Sequence, residues 1–175
     1  VATISVACKA QQLPPVAVDC FGIGENYCDQ VQANTYFVSN SGSDSNAGSQ
    51  SAPWLTLNHA VHSIDPGATI VVENGVYDGF RNFSISGTAD APITLKAGGS
   101  NVIVSRGLNG NRDIFEINGV SHWVVDGFTV SNGSRSGIAV IDADSITLKN
   151  NDIGPNQVWG IFTGFSTNLD ILHNR

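Results

Sequence analysis

The strongest constraint on this chain is a pattern that recurs every 23 residues in its second half. Ile146-Thr147-Leu148-Lys149-Asn150-Asn151-Asp152-Ile153 reads as apolar, x, apolar, x, x, Asn, x, apolar. Leu169-Asp170-Ile171-Leu172-His173-Asn174 repeats it 23 positions on, and Gly160-Ile161-Phe162 follows Gly137-Ile138-Ala139 by the same interval. One step back, Trp123 to Val130 fits the apolar positions with Phe128 in place of Asn. A fixed period in the twenties built from strand-like pieces is the mark of a solenoid, whose units cannot bury their apolar faces alone and must stack. Such a stack presents a long lateral surface, which suits a polymeric ligand.

Composition agrees. The chain has 175 residues, enough for one real core, with 19 glycines and only 13% charged residues. Long helical stretches are missing, and turn residues are frequent. The formal net charge of -7 argues against nucleic acid as a partner. No apolar run approaches the ~18–20 residues of a membrane span. Val1 has neither a Met nor a basic region before it, so the sequence reads as a processed or trimmed product.

Residues 1–34 differ from the rest and read as an N-terminal appendage or linker. They hold Cys8, Cys20 and Cys28. Their clustering suggests a local staple, with Cys20–Cys28 one candidate pairing and one thiol left over; a metal site is the alternative, although no CxxC or nearby His accompanies them. A disulfide would imply an oxidising compartment. Asn82-Phe83-Ser84 and Asn132-Gly133-Ser134 are glycosylation sequons.

From residue 35 the chain reads as one β-solenoid, with a cap strand and helix over 35–66 and coils over 67–175. Thr35–Ser39 is a β segment, and Asn40–Ser51 a polar surface loop. Leu57, Ala60, Val61 and Ile64 fall at helical spacing, which predicts a helix from about Leu57 to Ile64, ended by Asp65-Pro66-Gly67. A solenoid end exposes core and strand edges, so this helix is expected to be the N-terminal cap. Thr69–Glu73 and Ile93–Lys96 follow as strands, with Ile70 and Ile93 taken as equivalent, and an insertion is placed around residues 98–113. At the other end, Arg175 follows Asn174 in mid-coil. The expectation is that the natural chain continues, or that another β-helix or chain packs there.

At this point the residues carry a resemblance. Tyr36 to Gly48, Ala52-Pro53-Trp54-Leu55-Thr56-Leu57, Pro66-Gly67-Ala68-Thr69-Ile70 and Asn74-Gly75-Val76-Tyr77 resemble the opening of secreted right-handed parallel β-helix proteins of the pectate-lyase-like group, in particular family 9 polysaccharide lyases. Ala91 to Ala97 and Val125 to Val130 extend the likeness, which covers residues 35–175. The resemblance implies an all-β, right-handed parallel β-helix and secretion. It implies a lyase that cleaves an acidic, uronate-containing polysaccharide by β-elimination: Ca²⁺ held by Asp residues acidifies the C5 proton, and a Lys or Arg removes it. No position here matches those Asp and Lys residues one by one. The same group holds epimerases, hydrolases and adhesins, so a non-catalytic β-helix acting as adhesin, surface structural protein or assembly unit is the alternative.

Several residues can be placed on this scaffold. With Ile146 and Leu148 inward, Thr147 and Lys149 point out, setting Asp126 beside Lys149 and Asp170 beside Thr147 on neighbouring coils. An ion pair at Lys149 is the structural reading and a catalytic Lys the functional one. Asn151 and Asn174 read as an asparagine ladder that bonds turn backbone, or else as sugar ligands. The loops Arg106–Asp113, Ser131–Ser136 and Pro155–Trp159 precede the Gly-Ile strands and should flank a cleft. Arg106, Arg112 and Arg135 there could grip a uronate, with Glu116 outward on the same sheet and Trp159 stacking on a sugar or covering the loop. Asp142 and Asp144, an Asp-x-Asp on the turn before Ile146, are candidate Ca²⁺ ligands or turn formers.

Overall fold

The computed structural model describes residues 35–81, 85–106 and 112–175, all within a compact unit spanning Ala33–Arg175. The appendage at 1–34, its three cysteines and the first sequon lie outside the described residues.

Successive coils stack in register because apolar residues recur at one height. The six-stranded sheet runs, in spatial order, β1 (Thr35–Val38), β2 (Thr69–Val72), β4 (Ile93–Ala97), β7 (Ser121–Asp126), β10 (Asp144–Lys149) and β13 (Thr167–Leu172). A four-stranded sheet holds β3 (Gly75–Asp78), β5 (Val102–Arg106), β8 (Thr129–Val130) and β11 (Asp152–Ile153), and a three-stranded sheet β6 (Phe115–Asn118), β9 (Ser136–Ile141) and β12 (Trp159–Gly164). Every strand pair is parallel, with Ile146 beside Trp123 and Leu169, and Ile138 beside Phe115 and Ile161. The chain is therefore an all-β solenoid of about 23 residues per coil.

The core lies between the sheets. Leu95, Val125 and Leu148 form one inward row, and Ile93, Trp123 and Ile146 the next. Phe80 stacks on Phe115 at 4.4 Å, and Phe115 meets Phe128 edge-on at 5.6 Å. Each such side chain, once buried, stabilises the fold by roughly 1.5–3 kcal/mol. Inward Ile146 and Leu148 and half-buried Thr147 and Lys149 follow the alternation expected from the sequence.

The corners explain how the coil turns. Three columns of left-handed residues repeat with the same period: Gly119, Asp142 and Phe165; His122, Ser145 and Asn168; Gly127, Asn150 and His173. Gly119 and Gly127 adopt this conformation at no cost, whereas the others hold it against a steric penalty, which a continuous ladder of strand bonds on both sides can impose. A second device sits after β10. Asn151, buried, accepts from the Phe128 N–H at 3.0 Å and donates to the Val125 carbonyl at 3.1 Å. It also donates to Asn174 Oδ1 at 3.0 Å, and Asn174 donates to the Leu148 carbonyl at 2.8 Å.

Three sequence expectations need correction. The helix α1 is Leu57–Ala60, capped by Thr56, whose hydroxyl accepts from the His59 N–H; Val61 to Ser63 continue as turn, although Val61 and Ile64 are buried as the helical spacing requires. A single turn suffices because the segment is held from outside: the Asp44 carboxylate accepts from Leu55 N, Thr56 N and Thr56 Oγ1. Second, Ile70 pairs with Leu95 rather than Ile93, so the first coil is 25 residues long. Third, Ile93 pairs with Trp123, which confirms extra residues in that coil, but Val102–Arg106 within the expected insertion is the regular strand β5.

Candidate functional site

The loops at 131–135 and 154–158 leave the four-stranded sheet and enter the three-stranded one, so whatever they carry gathers at the start of β6, β9 and β12. Asp113, immediately before this edge, is fully buried. A bare carboxylate there would be costly. Arg135 donates to it through Nε at 3.0 Å and through Nη2, while Ser136 donates through its N–H at 3.1 Å and its hydroxyl. Burial works against the charge on Asp113, but together the bonds from Arg135 and Ser136 outweigh it and hold the carboxyl below its usual value. Its bond to Asp113 in turn raises the Arg135 guanidinium above its ordinary value.

Arg135 then lies with its guanidinium carbon 5.5 Å from the centre of the Phe162 ring. Trp159 meets the same ring at 5.1 Å, inclined by 33°. Outward along this sheet, Glu116, Ala139 and Phe162 occupy successive coils, and Glu116 is close enough to influence Arg135. Arg112 joins through the backbone, its carbonyl accepting from the Arg135 N–H at 2.8 Å.

The structure thus gathers Arg112, Glu116, Arg135 and Trp159 at one edge. Arg106 stands apart, at the end of β5, paired with Asp78 at 2.5 Å with both side chains largely exposed. Sequence reasoning missed Asp113 and Phe162. Asp113 carried a signal: it is 23 residues before Ser136, hence at the same height one coil earlier.

Asp142 and Asp144 lie at the corner between the three- and six-stranded sheets. Asp142 belongs to a left-handed column. Asp144 accepts from Thr167 Oγ1, from Asn168 Nδ2 at 2.8 Å and from Ser145 Oγ at 2.9 Å, and those bonds, Thr167's first, lower its pKa. A carboxylate already accepting three donors does not fit a calcium shell, whose oxygen ligands must face the cation. Among the described residues no group of three or more His, Cys, Asp or Glu could hold a metal. No step is routed through calcium at this corner. Lys149 pairs with Asp126 at 3.5 Å, and the Asn150 amide donates to the same Asp126 at 2.8 Å. Among the described residues no helix is long and apolar enough to cross a membrane.

Parallel coils, an inward aliphatic core and a loop-bearing three-stranded sheet define a right-handed β-helix of the carbohydrate-active kind. The chain belongs to the Pel9A-like right-handed β-helix family, whose model matches residues 36–174. It is 32% identical over 142 residues to a pectate lyase of Emericella nidulans, covering 69% of this chain and 34% of that enzyme. Among solved structures it resembles pectate lyase Pel9A (TM-score 0.61, 23% identity, 73% of this chain and 35% of that one). It also resembles a rhamnogalacturonan lyase (TM-score 0.57, 18% identity, 68% and 35%). The chain spans about a third of the length of these relatives.

Proposed function

We propose that this chain is the supporting and glycan-contacting part of a secreted, extracellular polysaccharide lyase that acts on a uronate-containing glycan by β-elimination. The observation that carries the reading is the 32% identity to a pectate lyase across most of the solenoid. The local architecture supports it: a stiff stack presents a flat sheet edged by loops, a surface long enough for several sugar units of an extended polymer. Helix α1, packed on β1 and β3, serves as the lid over the first coil. Asn151 and Asn174 act as rungs of an asparagine ladder, bonding backbone rather than sugar.

The chemistry of β-elimination needs a cation to offset the uronate carboxylate and a base for the C5 proton. Calcium is the cation expected, and its dependence is tested directly. The full-length protein is incubated with polygalacturonate, alginate and rhamnogalacturonan, with Ca²⁺ or with a chelator. Unsaturated product that forms with Ca²⁺ and stops with chelator supports the reading. No unsaturated product from any substrate would overturn it and leave the non-catalytic role.

A further inference from the structure

The arginines at the loop-bearing edge invite a uronate, but their geometry points elsewhere. The Nε–Nη2 edge of Arg135 is engaged by Asp113, and its guanidinium carbon lies 5.5 Å from the Phe162 ring centre. The fork that would grip a carboxylate in bidentate fashion is therefore already closed on one. Around it, the positive charges of Arg112 and Arg135 are matched by the negative charges of Asp113 and Glu116. The field at this edge is balanced and offers an anion little net attraction.

What the edge does offer is an aromatic surface. Trp159 is 45% exposed, whereas Trp54 and Trp123 are 5% and 0% exposed. Its ring continues the Phe162 surface at 5.1 Å. Ala139, between Glu116 and Phe162 in the outward row, is fully covered, so the larger side chains close over it and leave no deep notch. Arg135, fixed by a buried carboxylate, braces Phe162 and limits the freedom that would otherwise be lost on binding.

We propose that Trp159 and Phe162, braced by Arg135, form a stacking platform for the apolar face of a neutral pyranose ring, so that this edge holds an uncharged sugar unit. The proposal rests on the polysaccharide reading above and names the kind of sugar unit that this part of the molecule recognises. Axial C–H bonds on one face of a pyranose meet an aromatic ring well, and the hydroxyls at the rim stay in water. Arg135 is a positioning residue here; it acts through Phe162.

Because the other two tryptophans are buried, emission from the full chain reports on Trp159. The titration uses galactotetraose, cellotetraose and tetragalacturonate in the presence of chelator, so that no turnover intervenes. At least one neutral tetramer should shift the emission saturably, and tetragalacturonate should bind about tenfold more weakly or worse, an order unchanged by lowering the salt. By calorimetry, Trp159→Ala should abolish neutral-sugar binding and Trp159→Phe should retain it, with melting curves showing that both fold. Tighter binding of the uronate, no response to either neutral tetramer, or unchanged binding by Trp159→Ala would overturn the platform. The lyase reading is judged by unsaturated product alone, so either can fail while the other stands.

Discussion

Two corners of the same coil solve one problem in opposite ways. At the tight corner after β10, the chain turns in two residues, and the buried backbone groups are satisfied by amides. Asn151 serves Phe128 and Val125, and Asn174 serves Leu148. At the open corner before β9, a loop of variable length must be closed. There the donors Arg135 and Ser136 converge on one buried carboxylate, Asp113. The first device is neutral, local in type and repeated coil after coil. The second is ionic and joins two particular coils, and beside it the aromatic rings of Trp159 and Phe162 come together. A corner that repeats has no room for a special ligand; a corner that does not repeat can present one.

The largest way to test this contrast is to remove the charge at the open corner. Asp113→Ala leaves Arg135 and Ser136 without their shared acceptor, and breaking a buried pair from one side costs about 3–5 kcal/mol. Denaturant unfolding of Asp113→Ala, Arg135→Ala and the double variant should show strong non-additivity, the double variant losing much less than the sum. Simple additivity would mean that the two residues act separately. The same pair fixes a pH signature. The folded-state pKa of Asp113 lies below 3.8, so its contribution is fully present above the unfolded value and is lost as pH falls through the folded one. Arg135 stays protonated throughout. Asp113→Asn should therefore flatten the stability loss of the wild-type chain below pH 3.8, and an unchanged acid limb would contradict the assignment.

The tight corner should respond less. Asn151→Ala strands a buried N–H and a buried carbonyl, for which about 2–3 kcal/mol is the expected loss. Asn174→Ala, less buried, should cost roughly half as much. Thermal melts of the two variants check the order, and a reversed order would mean that the bonds at Asn151 are not what holds the corner.

This contrast also shows what could be read from the sequence. The tight corner was legible because its rule is periodic: Asn151 and Asn174 recur at 23, beside inward Ile146 and Leu148, and the structure places them as that spacing requires. The longer early coils were only partly legible. Residues 93–123 contain extra turns around β5, and nothing in Val102–Arg106 distinguishes a displaced strand from an inserted one. The left-handed columns were invisible except at Gly119 and Gly127, since His122, Asp142 and Phe165 carry no intrinsic preference strong enough to announce them. At the open corner, Arg135 was visible as a charge, but its partner was not. Asp113 lies in a loop whose length obscures the register, and only the stacked coils reveal that it sits beneath Ser136.

The smallest effect belongs to charges at the tight corner. Lys149 and Asp126 are 3.5 Å apart on the outer face, with side chains 39% and 28% exposed, and the Asn150 amide already bonds Asp126. A pair of this kind, open to solvent and sharing its acceptor, contributes less than about 0.5 kcal/mol. Lys149 also lies on the six-stranded sheet, away from the edge where Trp159 and Arg135 meet. Lys149→Ala should therefore shift the denaturation midpoint barely at all and leave unsaturated-product formation by the full-length protein unchanged. A large fall in product with an unchanged midpoint would reverse the comparison. It would make Lys149 a proton acceptor and move the chemistry to the face that its regular corner now marks as structural.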